Sequence, residues 1–390
     1  MKAADRVAFA LLALLVFSIP WEKSLVAPGI GTVSRVLGSI ALVGGVVAAT
    51  LRRQVRLPNF ALTLAGVFVL WSAATWFWSY YPEATVARSL TLLQLFLMAW
   101  LVWDLCRSAW QQRVLVGAFV LGAAVASLGT FARYAMSQQT YYKRYAAAGF
   151  DPNDLGLTVA LAIPLALWLA LRPGRMAWLW RVLVVVCCGA VLLTASRTAM
   201  VCAMAAFAVV PLAWRESTPQ ARWSGVGLLL LLIAGAVGLA PKESRQRLAT
   251  IRTEVTTGTL HNRTTIWKAG VQAWKLRRLT GVGAGAYPKA VEPLIGVPGV
   301  AGHEYVAHNT FLSVLVETGV IGFVLFSAFV GVLLVFALIQ RAPERALWLT
   351  VMLVWAIGVS TLTWEHRKAA WVLFALLMTG WSRAFRAETA

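Results

Sequence analysis

Charged residues are scarce in this sequence, and their scarcity excludes an ordinary soluble domain. Only 13% of the 390 residues are Asp, Glu, Lys or Arg, whereas a soluble domain has about 25%. Hydrophobic residues make up 60% and stand in long unbroken runs. This combination predicts a membrane protein, and we interpret residues 1–390 as a single integral membrane domain.

Patterns that bind metal ions are also missing. The four cysteines, Cys106, Cys187, Cys188 and Cys202, lie in or beside apolar runs and lack the spacing of a zinc site or a disulfide framework. The sequence contains no HExxH or DxD motif. We therefore predict a protein that uses no metal ion and no other cofactor.

Apolar runs are what the sequence has in abundance. A membrane helix needs about 20 mostly apolar residues, and about twelve runs meet this criterion. Their approximate cores are 7–21, 31–50, 59–79, 86–105, 114–134, 153–171, 177–194, 197–214, 224–240, 307–339, 346–363 and 369–385. The break at residue 195 is the least distinct of the boundaries. The predicted fold is an all-α polytopic membrane protein.

The distribution of Lys and Arg predicts the orientation of these spans. With the N-terminus in the cytoplasm, the cytoplasmic connections carry most of the arginines, whereas the opposite short loops nearly lack them. Both termini are then cytoplasmic. The first span follows "MKAADR" and has no small-residue cleavage site after it, so we expect it to be retained. The net charge of +20 fits this bias, and nucleic acid is not predicted as a partner.

Residues 241–306 form a long loop on the outer side, between the ninth and tenth spans. Two stretches within it have helical spacing of apolar residues: Leu248, Ile251 and Val255, then Trp267, Val271 and Trp274. We expect amphipathic helices that lie on the membrane or on the bundle. The loop has ten basic and four acidic residues. An excess of six positive charges on this side predicts an anionic partner such as phosphate, pyrophosphate or anionic lipid.

Several polar residues fall on the outer side in this topology. Arg88 lies one turn into the fourth span, Arg197 lies where two spans meet, and Arg263 begins the second loop helix. Guanidinium groups suit bidentate phosphate binding. The alternatives are that Arg88 and Arg197 extend to the lipid headgroups and that Arg263 is a solvated loop charge. Carboxylates are few on this side, so Arg and Lys would have to neutralise a pyrophosphate.

Histidines are rare, and their positions narrow the search for a base. His308 and Asn309 begin the tenth span, in "HEYVAHNTFL", and His308 near neutral pH is able to accept a proton from an attacking hydroxyl. His303 and His366 are competing candidates, and His308 is also compatible with capping or packing. The sequence position alone does not choose between them.

Four short motifs, in order, resemble the O-antigen ligase family. They are "GFDPNDLG" (149–156), "TASRTA" (194–199), "NRTTIWKAGVQAWKLRRLTGVGAGAYP" (262–288) and "AHNTFLSVLVETGVIG" (307–322). The resemblance implies a GT-C-like bundle in a Gram-negative inner membrane with a periplasmic active site. It implies a metal-independent, inverting glycosyltransferase that joins undecaprenyl-pyrophosphate-linked O-antigen to lipid A–core. By the same resemblance His308 is the base, and Arg197, Arg263 and, less sharply, Arg88 bind the donor pyrophosphate. Asn309 and Arg367 are supporting candidates.

Three other functions remain open. An O-antigen polymerase or a protein O-oligosaccharyltransferase would use the same donor and similar residues, and the sequence does not reveal the acceptor. A membrane transporter is a less favoured alternative, because transporter sites lie near the midplane, often within internal repeats. Here the candidate residues cluster on one face and no repeat relates the halves. The sequence does not predict an oligomeric state.

Overall fold

The computed structural model describes residues 3–29, 31–140, 144–172, 174–215, 217–238, 263–296 and 305–388. Helices dominate this part of the chain. They are α1 (Ala3–Ser18), α2 (Val33–Arg52), α3 (Phe60–Ala74), α4 (Pro82–Leu105), α5 (Ala109–Ala135), α6 (Pro152–Ala170), α7 (Ala177–Thr194), α8 (Arg197–Ala205), α9 (Val209–Leu212), α10 (Pro219–Gly238), α11 (Arg263–Leu276), α12 (Tyr287–Ile295), α13 (Thr310–Leu338), α14 (Glu344–Val359) and α15 (Lys368–Glu388). Three short 3₁₀ segments occupy Ile19–Ser24, Thr75–Trp78 and Ala206–Ala208, and β1 (Val26–Ala27) pairs antiparallel with β2 (Gly31–Thr32).

The prediction of an all-α polytopic membrane protein is confirmed. A helix lies at each of the twelve predicted spans, with the eighth divided into α8, a 3₁₀ segment and α9. Within the described residues, eight helices are long and apolar enough to cross a membrane, and Arg197–Leu212 and Lys368–Gly380 are shorter apolar helices. The break predicted at residue 195 is confirmed, because Ala195 has a left-handed φ of 47° between α7 and α8.

Polar contacts define two ends of the bundle. At one end, which we call the site end, contacts join segments far apart in sequence: Lys23 to Asp154 (3.2 Å), Arg88 to His366 (2.8 Å) and Thr361 to Thr198 (2.9 Å). At the opposite end, Arg52 pairs with Asp5 (2.7 Å) and Arg172 with Glu344 (2.6 Å). The predicted outer loops therefore do meet at a single end of the molecule.

Helix α6 is at the centre of the bundle. Of its apolar window 94% is buried, and its side chains are buried continuously from Leu155 to Ala170. A helix that is hydrophobic on all sides belongs in an interior. Asn153 and Asp154 lie in the first turn of this helix, where Asp151 caps it by accepting from the backbone N–H of Asn153 (2.8 Å). Its polar end is thus fixed at the site end.

Helix α13 is interrupted at Gly319, and a loop fills the interruption. Gly319 has φ 67° and ψ −172°, and a Cβ there would collide with the carbonyl of Leu279. The backbone N–H groups of Val282 and Gly283 donate to the carbonyls of Val316 (3.0 Å) and Glu317 (2.9 Å). The loop therefore satisfies carbonyls that the break removes from the helix, which is why the chain tolerates an interrupted helix at this depth.

The second predicted loop helix is present, but its buried face differs from the predicted stripe. Helix α11 begins at Arg263 and ends at Leu276, while Val271 is exposed. Ala269 and Ala273 are buried instead, in a small core with Tyr287 of α12, because Gly270 allows the Tyr287 ring to approach closely. The predicted stripe of Leu248, Ile251 and Val255 lies outside the described residues.

Candidate active site

His308 stands at the entrance to α13. Its φ of 47° turns the chain immediately before the helix, and Asn309 then caps the helix by accepting from the backbone N–H of Leu312 (3.0 Å). Burial and the charge of Arg263 lower the pKa of His308 to about 4, although Asp151 and Asp154 act in the opposite direction. The imidazole is therefore neutral, and able to accept a proton, at neutral pH.

The charges of Arg197, Arg263 and His308 are linked through Arg263. The charge of Arg263 acts on His308, and burial and the charge of Arg197 lower the pKa of the Arg263 guanidinium below its ordinary value. The two arginines begin different helices: Arg263 is the first residue of α11, and Arg197 is the first residue of α8. Two guanidinium groups within electrostatic range repel each other, and an anion between them would relieve the repulsion.

A tryptophan ties α11 to the segment that carries His308. The indole Nε1–H of Trp267 donates to the carbonyl of Ala307 (2.7 Å), the residue before His308. Tyr287 of α12 donates from its hydroxyl to the carbonyl of Ile266 (3.0 Å). The position of Arg263 relative to His308 is therefore set by contacts from α11 and α12.

Asp154 accepts from three donors on two segments, the 3₁₀ segment of Lys23 and the turn that carries Trp364 and Arg367. Its carboxylate accepts from Lys23 (3.2 Å), from Arg367 (2.7 Å) and from the indole of Trp364 (3.0 Å). Its charge also acts on His308. The predicted supporting residue Arg367 is thus placed at the edge of the His308 cluster, bound to a carboxylate that faces it.

Arg88 lies in a second polar cluster. It forms an ion pair with the buried Glu365, and its Nη1 lies 2.8 Å from Nδ1 of His366, which is also 3.0 Å from Oε1 of Glu365. Burial and the charge of Arg88 lower the pKa of His366 to about 4. The carboxylate of Glu317, a buried residue of α13, accepts from the backbone N–H of Gly285 (2.8 Å). Arg88 therefore has anionic partners within the protein.

The turn at residues 360–368 connects the two clusters. Thr361 contacts Thr198 of α8, and the hydroxyl of Thr310 accepts from the backbone N–H of Trp364 (2.8 Å) while it donates to the carbonyl of Leu362 (2.8 Å). Farther along, Lys368 pairs with Glu22 (2.6 Å). This turn crosses the site end from the neighbourhood of Arg197 to the neighbourhood of Arg88.

The structure groups the predicted site residues unequally. It sets His308, Arg263 and Arg197 within electrostatic range of one another through Arg263, with Asn309 as the cap and Arg367 at the edge, and it puts Arg88 in the neighbouring cluster. The competing candidate His303 lies outside the described residues, and His366 belongs to the Arg88 cluster. None of these placements tests the predicted roles, which stay predictions.

Sequence reasoning missed the carboxylates of the site end. We expected few of them there, yet five lie in or beside the two clusters: Glu22, Asp151, Asp154, Glu317 and Glu365. They are distributed over separate helices and loops, so no local spacing identified them. A signal was available in Glu317, since an acidic residue within an apolar span needs a partner or a function.

The side chains at this site suit a group transfer in which an anionic leaving group departs. A neutral imidazole serves as a proton acceptor, and two neighbouring guanidinium groups stabilise developing negative charge. Among the residues that the structure describes, no group of three or more His, Cys, Asp or Glu side chains is placed to hold a metal ion. The prediction that no metal takes part stays a prediction.

The comparisons with known proteins bear on the same segment. The family model described as O-Antigen ligase matches residues 182–327. This match confirms the resemblance and supports O-antigen ligation or polymerisation in general, with a lipid-linked polysaccharide as the type of substrate. The matched segment includes Arg197, Arg263, His308 and Asn309, whereas Arg88 and Arg367 lie outside it. A search of curated proteins finds no match.

Proposed function

We propose that this protein is an O-antigen ligase of the inner membrane. It transfers polysaccharide from undecaprenyl pyrophosphate to a sugar hydroxyl of lipid A–core at the periplasmic face. The observation that carries the proposal is the neutral His308 beside the Arg197–Arg263 pair, within the segment that matches the family model.

His308 is the general base of the proposed reaction. A base must be unprotonated at the working pH, and a pKa of about 4 satisfies this condition. The position before the first turn of α13 contributes, because the positive end of a helix disfavours an imidazolium. Asn309 fixes that first turn and acts as a positioning residue.

Arg197 and Arg263 bind the donor pyrophosphate. Their mutual repulsion disfavours the empty site and is offset when a multiply charged anion lies between them. Arg263 is carried by the outer loop and Arg197 by the bundle, so the bound pyrophosphate would hold the loop against the bundle. Arg88 is already paired with Glu365, and we assign it the positioning of the 360–368 turn.

The proposed reaction is a single displacement at the anomeric carbon. The acceptor hydroxyl gives its proton to His308 while its oxygen forms a bond to the anomeric carbon. The bond between that carbon and the pyrophosphate oxygen breaks, and its electron pair leaves with undecaprenyl pyrophosphate. Arg197 and Arg263 stabilise the added charge, and His308 releases the proton to solvent. Attack opposite the leaving group inverts the anomeric configuration.

Deletion of the gene tests the assignment of the acceptor. We expect loss of the O-antigen ladder on a lipopolysaccharide gel, together with accumulation of lipid-linked polymer. A single-repeat band would instead identify a polymerase. Unchanged lipopolysaccharide with unglycosylated protein acceptors would identify a protein O-oligosaccharyltransferase. Either of these two results contradicts the proposed ligase.

Two histidine variants test the base in the purified protein. His308→Ala should lower kcat by about a hundredfold or more, the contribution typical of general base catalysis. His303→Ala is the matched control, since it removes an imidazole from the same outer segment and should retain most of the activity. The reverse pattern would assign the base to His303.

A further inference from the structure

A groove runs along the outside of the bundle between α2 and α4. It consists of two cavities of about 310 Å³ and 450 Å³. The cavities share three lining residues, Leu42, Leu97 and Leu101, at the middle of the two helices. The shared residues make them successive parts of one groove, to which Leu15 of α1 also contributes.

The groove is as long as the membrane is thick. Its lining residues on α2 recur at each turn from Arg35 to Arg53. Eighteen residues of helix extend about 27 Å, and the hydrocarbon core of a bilayer is about 30 Å thick. The groove therefore passes through both leaflets. The acyl chain of an ordinary membrane lipid occupies one leaflet, so the groove matches a longer hydrocarbon chain.

The mouth of the groove at the site end is basic. Arg35, Arg367 and Lys368 line it, with Glu22 as its one acidic residue, whereas the walls below are mostly apolar. Arg367 and Lys368 have carboxylate partners, and Arg35 is exposed. The exposed Arg35 adds positive charge beside these two ion pairs, which favours a ligand whose negatively charged head lies above an apolar chain.

His366 lines the same mouth. Its Nδ1 lies 2.8 Å from Nη1 of Arg88 and 3.0 Å from Oε1 of Glu365. The imidazole therefore joins the polar network around Arg88 to the entrance of the groove.

The mouth of the groove lies near the candidate active site. Arg367 lines the mouth and pairs with Asp154 (2.7 Å), and the charge of Asp154 acts on His308. In a polyprenyl-pyrophosphate donor, only the pyrophosphate separates the reacting carbon from the chain, so the chain must enter the membrane next to the reaction site. The reactive hydroxyl of a lipid-linked sugar acceptor is several sugars away from its lipid and imposes no such condition.

We propose that the groove between α2 and α4 holds the polyprenyl chain of the donor, with Arg35, His366 and Lys368 at its entrance. This inference rests on the proposed transfer from a polyprenyl pyrophosphate. It adds a binding subsite for the chain that is separate from the pyrophosphate site at Arg197 and Arg263.

Filling the groove tests the inference. Leu97→Trp puts a large side chain where the two cavities join, and Leu93→Trp is the matched control, one turn earlier on α4, exposed and outside the lining. Leu42→Trp with Val43→Trp as control repeats the test on α2. The assay measures KM for the same oligosaccharide carried on undecaprenyl pyrophosphate or on a short geranyl pyrophosphate. Thermal melting in detergent checks the folding of all four variants.

We expect Leu97→Trp and Leu42→Trp to raise KM for the undecaprenyl donor about tenfold, which corresponds to excluding about two methylene groups from the groove. KM for the geranyl donor should be unchanged, and both controls should match the unsubstituted protein. Equal KM values in groove and control variants would overturn the inference. This is also the result expected if ordinary phospholipid fills the groove. Absence of transfer from either donor by the unsubstituted protein would instead contradict the proposed function.

Discussion

Replacement of Arg263 by Gln isolates one cause of the low His308 pKa. Burial and Arg263 together lower this pKa from 6.5 to about 4. At an effective dielectric constant near 20, a unit charge within about 10 Å changes a pKa by about one unit or more. Arg263→Gln should therefore raise the His308 pKa by about that amount. The pKa should still lie below 6.5, because burial is the larger cause and remains.

The sign of the effect on activity follows from the role of a base. His308 is competent when neutral, so kcat/KM should fall as the pH falls through its pKa in the free protein. The acidic limb should lie near pH 4 in the unsubstituted protein and at higher pH in Arg263→Gln. The maximum of kcat/KM should also decrease, since a pyrophosphate contact is lost, but the position of the limb does not depend on the maximum.

Two measurements on the purified protein check this prediction. The pH profile of kcat/KM locates the limb, and NMR of labelled imidazoles titrates His308 directly, with only four histidines to assign. Lys268→Gln is the matched control, because it removes a cation from an exposed position of the same helix. A limb near 6.5 in the unsubstituted protein, or one that Arg263→Gln leaves in place, would refute the electrostatic reasoning.

Three further substitutions test the supports of the site. Arg88→Met should reduce the unfolding free energy by about 3–5 kcal/mol, because it removes the guanidinium partner of the buried Glu365; the double variant with Glu365→Gln should recover much of the loss in denaturant titrations. Gly319→Ala should destabilise by about 1–3 kcal/mol in the same titrations, since it puts a Cβ against Leu279 at a positive φ; unchanged stability would contradict the tight loop packing. Trp267→Phe removes one hydrogen bond worth about 1 kcal/mol, so it should lower kcat while the melting temperature hardly changes; unaltered kcat would show that this bond does not position His308.

Local patterns in the sequence were sufficient to predict the positions of the helices. Membrane spans need long apolar runs, and such runs are local, so a helix lies at each predicted span. The break at residue 195 was also predictable, because two short runs meet there. The start of α11 at Arg263 followed from periodicity, but its buried face did not. Ala269 and Ala273 lie inside because Gly270 admits the Tyr287 ring, and that contact joins residues far apart in sequence.

The candidate site was predicted in part, for the same reason. Topology alone directs the ends of alternate helices to one side, which brought Arg88, Arg197, Arg263 and His308 to one end of the bundle. Charge pairing within that end depends on distances of a few ångströms between separate helices. The sequence has no local signal for the ion pair of Arg88 with Glu365, so it grouped Arg88 with the other arginines.

The sequence by itself determined the class of protein, the positions of the helices and the end of the bundle at which polar residues gather, because all three depend on composition and local periodicity. Only the tertiary structure decided which of those residues are neighbours. It put His308 within electrostatic range of Arg263, gave Arg88 its own carboxylate, and left a groove between α2 and α4. Each of these depends on how helices distant in sequence pack together, and electrostatic interactions and cavities follow that packing.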